Sequence, residues 1–153
     1  MLEPKRSDFP HTEAMTYFAR SLGAAHTGDL QKAKSAIDSL ASIRQRLAAK
    51  REGYWAEQVA IEHLAAQAAL DFAEGRTRVA VERMREAAVR EEATEKSVVT
   101  PGPLAPAREL LADMLTELKR PNDAAAEYRA TLKSEPNRRH SLRRLTPGST
   151  SRE

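Results

Sequence analysis

The residues best suited to chemistry in this chain are its histidines and carboxylates, because cysteine is absent. The four histidines are spread along the chain at His11, His26, His63 and His140. Two of them lie beside an acid, in His11-Thr12-Glu13 and Glu62-His63, but those spacings place the two side chains on different sides of a helix. A metal site needs three or four convergent ligands. We therefore expect no metal site.

Motifs for covalent catalysis or phosphate binding are also missing from the sequence. There is no cysteine, no Gly-x-Ser-x-Gly elbow and no glycine-rich phosphate loop among only six glycines. The sequence thus predicts a protein that is not an enzyme and that needs no cofactor.

A basic cluster near the end of the chain is the strongest charge feature. It comprises Arg138, Arg139, His140, Arg143 and Arg144. Residues 137–153 hold five arginines and one acid, a net charge of +4, which leaves −1 for residues 1–136 of a chain whose total is +3. Such a cluster could hold an acidic partner or nucleic-acid phosphates, but no aromatic residues alternate with it for base stacking. We favour a polar capping helix whose Leu142 and Leu145 cover the core, and we consider nucleic-acid binding unlikely.

Composition favours helices packed on helices. Aromatic residues make up 5% of the 153 residues and charged residues 31%, and alanine and leucine dominate the apolar set. No apolar run approaches the roughly 20 residues of a membrane span, and the first residues show no secretory leader. We expect one cytoplasmic helical domain without a membrane segment.

These helices would be arranged as hairpins, because one spacing recurs three times. Each copy is built around a turn residue. A small residue stands seven positions before it, an alanine five positions after it, and a bulky residue nine positions after it. The copies are Ser21-Gly28-Ala33-Ile37, Ala68-Gly75-Ala80-Met84 and Ala112-Lys119-Ala124-Tyr128. Small residues facing each other let two helices approach closely. The pattern predicts three helical hairpins.

The predicted boundaries follow from caps and breakers. We expect an irregular lead-in over 1–10, a helical domain over 11–145 and a disordered tail over 146–153. Within the domain the hairpins would span about 12–50, beginning with Thr12 as N-cap, then 54–93 and 104–134, with a capping helix over 137–145. The prolines and glycine between 101 and 106 predict an extended connector over Ser97–Pro103, before the third hairpin.

This pattern resembles tetratricopeptide repeats (TPR), most clearly in Leu111-Ala112…Ala124-Ala125-Ala126-Glu127-Tyr128…Leu132…Pro136-Asn137. Equivalent turns are 47 and 44 residues apart, against about 34 in the usual repeat. The runs Met15-Thr16-Tyr17-Phe18-Ala19-Arg20, Tyr54-Trp55-Ala56-Glu57-Gln58 and Ala93-Thr94-Glu95-Lys96, with the segment that follows, are similar to the C-terminal part of longer bacterial TPR proteins of unassigned function. The resemblance implies a right-handed α-α superhelix, or solenoid, that acts as a scaffold for protein or peptide binding.

The candidate binding residues fall into three groups. The resemblance implies ligand contacts on the concave face from Arg20, Gln58, Glu62, Gln67 and Arg108. A non-helical connector exposes backbone donors and acceptors, so it adds Lys96, Pro101, Gly102 and the nearby Glu109. The single tryptophan, Trp55, would be a recognition hot spot if exposed, although burial in the core is favoured.

Two other functions remain open. The chain could be a structural C-terminal fragment of a longer array that self-associates, for example as a homodimer, through an unpaired apolar face. Alternatively, arginines of the array could line up with the basic cluster to bind nucleic acid or a regulator. Those arginines are Arg44, Arg46, Arg83 and Arg85.

Overall fold

The computed structural model describes residues 9–94 and 103–146, and every regular element among them is an α-helix. The helices are α1 (Pro10–His26), α2 (Leu30–Ala49), α3 (Gly53–Ala73), α4 (Thr77–Ala93), α5 (Ala107–Glu117), α6 (Pro121–Ser134) and α7 (Arg139–Leu145). The prediction of an all-α fold is confirmed. The predicted tail beyond Thr146 and most of the predicted connector lie outside the described residues.

Four of the turns use the same hydrogen-bonded motif. One residue takes a positive φ, and the next N–H reaches back to the carbonyl five residues earlier, which closes the helix end. The residues with positive φ are Gly28 (76°), Arg51 (59°), Gly75 (81°) and Lys119 (58°). The closing bonds are Asp29 to Ala24 at 2.9 Å, Glu52 to Leu47 at 3.0 Å, Arg76 to Asp71 at 2.8 Å and Arg120 to Leu115 at 2.9 Å.

The first helix begins earlier than predicted. Pro10 occupies its first turn and Phe9 is the N-cap residue, so the prediction of Thr12 as N-cap was wrong. The Thr12 hydroxyl instead donates to the Phe9 carbonyl at 2.7 Å. By contrast, Asp29 caps α2, because its side chain accepts from the backbone N–H of Lys32 at 3.2 Å.

Helices pack against those one and two places along the chain. Consecutive helices are in contact from α1 to α4, from α4 to α6, and between α6 and α7, and the odd-numbered α1, α3 and α5 also touch in sequence. The small residues of the repeated spacing are all inside: Ser21, Ala33, Ala68, Ala80, Ala112 and Ala124 are at most 2% exposed. One continuous core of buried residues therefore runs from α1 to α6.

Helix α7 contributes less apolar surface to this core than expected. Leu145 packs against the core, but Leu142 is 46% exposed, so the prediction that both leucines cover the core was wrong for Leu142. Ser141 is the residue of α7 that is fully buried.

Candidate functional site

Three of the predicted contact residues lie along one stripe of α3. Trp55, Gln58 and Glu62 are spaced by three and four residues, which places their side chains on the same side of a helix. All three are half-buried. We call these three residues the α3 stripe.

The N-terminal end of the α3 stripe, at Trp55, belongs to an aromatic cluster. The Trp55 ring stacks on the His11 ring of α1, with centroids 3.8 Å apart and planes 8° from parallel. Phe9 packs edge-on against His11 and Tyr54 edge-on against Trp55, and these two flanking rings are 63% and 37% exposed. Trp55 thus lies where α3 meets α1, and the two flanking rings leave an exposed aromatic surface beside it.

Burial in this cluster disfavours the charged form of the His11 ring. Burial lowers its pKa, while the charge of Glu52 acts in the opposite direction. Its Nδ1 atom is buried and has no hydrogen-bond partner among the residues that the structure describes.

Glu62 at the other end of the α3 stripe is the most unusual polar group of the fold. Its Oε2 atom is buried and finds no hydrogen-bond partner within the described part of the chain. Burial, with a smaller contribution from the charge of Glu91 on α4, raises the pKa of the Glu62 carboxyl to about 8. At neutral pH the group is therefore mostly protonated, and it can both donate and accept a hydrogen bond.

The neighbouring Glu91 is used in building the fold. One of its carboxylate oxygens accepts from the backbone N–H of Ala107 at 3.0 Å, at the first residue of α5. A carboxylate in that position satisfies one of the free N–H groups of a helix start. Glu62 thus lies where α3, α4 and the beginning of α5 come together.

The remaining predicted contacts are placed elsewhere. Gln67 is half-buried on α3 but five residues beyond Glu62, which turns it roughly 140° about the helix axis. On α1, the Arg20 guanidinium lies over the Tyr17 ring, 5.7 Å from its centroid. Arg108 pairs with Glu92 of α4 at 2.5 Å and with Glu127 of α6, so it ties two even-numbered helices together.

Glu109 anchors the last helix. It is 4% exposed and accepts from Arg138 Nε at 3.0 Å and from the Ser141 hydroxyl at 2.5 Å. One turn further along α5, Asp113 accepts from the Tyr128 hydroxyl at 2.6 Å and bonds to His140 Nε2 at 2.8 Å. The other connector candidates, Lys96, Pro101 and Gly102, lie outside the described residues.

Sequence reasoning missed both the His11–Trp55 stack and these anchors of α7. A signal for the anchors exists in hindsight, because Glu109 and Asp113 are four residues apart and so share one side of α5. The basic cluster follows after a short helix, within reach of that side.

Residues 9–94 and 103–146 contain neither a metal-binding cluster nor a membrane-spanning helix. No group of three or more histidine or acidic side chains is placed to hold a metal ion. No helix in those ranges combines the length and apolar character that a bilayer crossing requires.

Comparison with known proteins adds no family assignment. No protein-family model, curated protein or solved structure matches this chain. The aromatic surface, the amide and the mostly neutral carboxyl of the α3 stripe are groups suited to recognition by stacking and hydrogen bonding.

Proposed function

We propose that this protein is a non-enzymatic scaffold module of TPR type, a right-handed superhelix of hairpins that binds a protein or peptide segment. The bound segment would lie on the concave face formed by α1, α3 and α5, against the α3 stripe. The observation that carries the proposal is the buried, unpartnered carboxyl oxygen of Glu62 in line with Gln58 and Trp55. A buried polar atom without a partner is costly, so a ligand that draws the Glu62 carboxyl toward the surface and supplies the missing bond would be favoured.

The TPR assignment is supported by the repeated construction of the chain. Contacts between α1 and α3 and between α3 and α5 align the first helices of the three hairpins. A small residue, either serine or alanine, is buried at each equivalent position of the three hairpins. Stacked hairpins of this kind bury a shared core and leave one extended face for binding.

A peptide fits this stripe because each group has a natural partner in a polypeptide. The Gln58 amide and the neutral Glu62 carboxyl can each pair with a backbone N–H and a backbone carbonyl. The outward aromatic surface around Trp55 would take an apolar or cationic side chain, as tryptophan commonly does at interfaces.

The experiment is selection of peptides from a random displayed library on the purified chain. Selected peptides, labelled with a fluorophore, are then titrated against variants by anisotropy. We expect E62A and Q58A each to weaken binding about tenfold, which corresponds to the loss of one buried hydrogen bond. The matched controls are E117A and Q45A, because Glu117 on α5 and Gln45 on α2 are exposed side chains away from the stripe.

Two outcomes would contradict the proposal. The first is a library that yields no binder, or binders indifferent to E62A and Q58A. The second is a concentration-dependent dimer, measured by light scattering, that W55A converts to a monomer, since the stripe would then be an interface between two copies.

The nucleic-acid alternative has less support, because Arg138, His140 and Arg144 all face carboxylates of α5.

A further inference from the structure

A second surface, away from the α3 stripe, has the chemistry of an anion-binding groove. It lies between the first half of α4 and the turn that joins α5 to α6, and its volume is about 340 Å³. Its lining residues are Thr77, Arg78, Val81, Glu82, Arg85, Leu118 and Arg120. Three arginines and one glutamate give this lining a net charge of +2.

The floor of the groove is apolar and its rim is cationic. Val81 is 7% exposed and Leu118 is packed against the core, so both present a fixed apolar surface. Thr77, Val81 and Arg85 follow one another at intervals of four along α4, which aligns them in one row that passes through the floor at Val81. The beginning of α4 adds the positive end of its helix dipole to the same side.

The arginines on the rim are available to a ligand. Arg85 is exposed and has no ion pair or hydrogen bond with any residue that the structure describes. Among the described residues, Arg78 is bound only to Glu82 one turn away, at 2.9 Å, and these side chains are 80% and 58% exposed. Arg120 has the same kind of local pair with Asp123 at 2.7 Å. Exposed pairs of this kind contribute little, so a ligand carboxylate can replace them.

We propose that this groove docks an acidic peptide segment in which an apolar side chain lies between acidic residues. The apolar side chain would contact Val81 and Leu118, and the acidic side chains on either end would meet Arg78 or Arg85 and Arg120. Arginine suits this task, because its planar fork pairs with a carboxylate through two hydrogen bonds. A nucleic acid fits less well, since no aromatic side chain lines the groove for base stacking.

The probe is a fluorescein-labelled peptide with a leucine flanked by two acidic residues on each side. Its uncharged amide counterpart serves as the reference ligand, and anisotropy is measured at about 150 mM salt, where unspecific long-range attraction is screened. We expect R85E to weaken binding of the acidic peptide at least about tenfold. R129E is the matched control, because Arg129 on α6 is exposed, does not line the groove, and its reversal changes the net charge equally.

A gain of affinity provides the second test. E82Q removes the carboxylate from the rim and releases Arg78 from its pair, so binding should tighten about two- to fivefold. The matched control is E86Q, which makes the same change on an exposed residue of α4 outside the groove. Circular dichroism establishes that the variants remain helical.

The proposal is overturned by any of three results: no binding of the acidic peptide, equal losses for R85E and R129E, or tighter binding of a single-stranded oligonucleotide. None of these results bears on the α3 stripe, because the groove variants leave the residues of the stripe unchanged. The two sites therefore stand or fall separately.

Discussion

Two carboxyl groups on the odd-numbered helices show how differently one residue type can be used. Glu109 of α5 is 4% exposed and receives hydrogen bonds from Arg138 and Ser141. Glu62 of α3 has a buried oxygen with no such donor in the part of the chain that the structure describes. The first carboxylate stabilises the fold by holding α7 in place, whereas the second is tolerated at a cost.

This cost makes stability depend on pH. The pKa of Glu62 is raised from 4.5 to about 8 on folding, because burial and the charge of Glu91 disfavour ionisation. A folded state that holds its proton more tightly is at its full stability below the unfolded pKa. The Glu62 contribution is therefore fully present below pH 4.5 and is lost as the pH rises to about 8.

We predict that E62Q removes this loss. Glutamine has nearly the same shape and cannot ionise, so the variant should exceed the parent protein in free energy of unfolding by about 1–3 kcal/mol near pH 8. Near pH 4.5 the two should differ much less. Urea unfolding followed by circular dichroism at both pH values measures the difference, with E117Q as control. An E62Q effect of equal size at both pH values would mean that ionisation of Glu62 is not responsible.

At the scale of helices, the sequence located the turns better than the helix starts. Gly28 and Gly75 were predicted as turn residues, and both have the positive φ that glycine accepts without strain. Arg51, just after α2, takes the same positive φ, but the sequence does not identify it as a turn residue because arginine has no preference for that conformation. The sequence predicts Thr12 as an N-cap, although Pro10, two residues earlier, is equally suited to a first helical turn.

The side-chain contacts between helices were largely beyond the sequence. Arg108 was assigned to the ligand-binding face, yet the folded chain brings Glu92 and Glu127 to it from α4 and α6. Glu109 and Ser141 meet across 32 residues of sequence. Such pairs depend on the distance and the rotation between two helices, and helix packings that share one hydrophobic pattern differ in both.

The repeated small residues give a prediction about helix packing. Ala80 of α4 and Ala68 of α3 are both fully buried where the helices of the second hairpin meet. A80L should force α3 and α4 apart and lower the free energy of unfolding by about 1–3 kcal/mol or more. Thermal unfolding by calorimetry measures the loss.

The control for this prediction is A126L on α6, where the alanine is exposed. Leucine and alanine are both good helix formers, so we expect A126L to change stability by less than about 0.5 kcal/mol. If A80L were as mild as A126L, close approach at the small residues would not be what holds the hairpin together.

At the scale of the whole molecule, the described helices form a chain of neighbours. Every extensive helix contact joins elements one or two places apart. The long-range ion pairs follow the same rule, from Glu13–Arg46 in the first hairpin to Glu57–Arg90 in the second and Glu109–Arg138 between α5 and α7. In such an arrangement stability is approximately a sum of local hairpin terms and contacts between neighbours.

This topology predicts that damage at one end stays at that end. Leu111 of α5 and Leu40 of α2 are both completely buried, so L111A and L40A should each cost about 2–5 kcal/mol locally. Native-state hydrogen exchange should show faster exchange in α5, α6 and α7 for L111A, and in α1 and α2 for L40A, with the opposite end little affected. Comparing these two variants cancels the effect of the substitution itself, because residue type and burial are the same. If both accelerated exchange uniformly over all the helices, the hairpins would unfold as one cooperative unit, and a ligand on the α3 stripe would then stabilise α7 as strongly as α3.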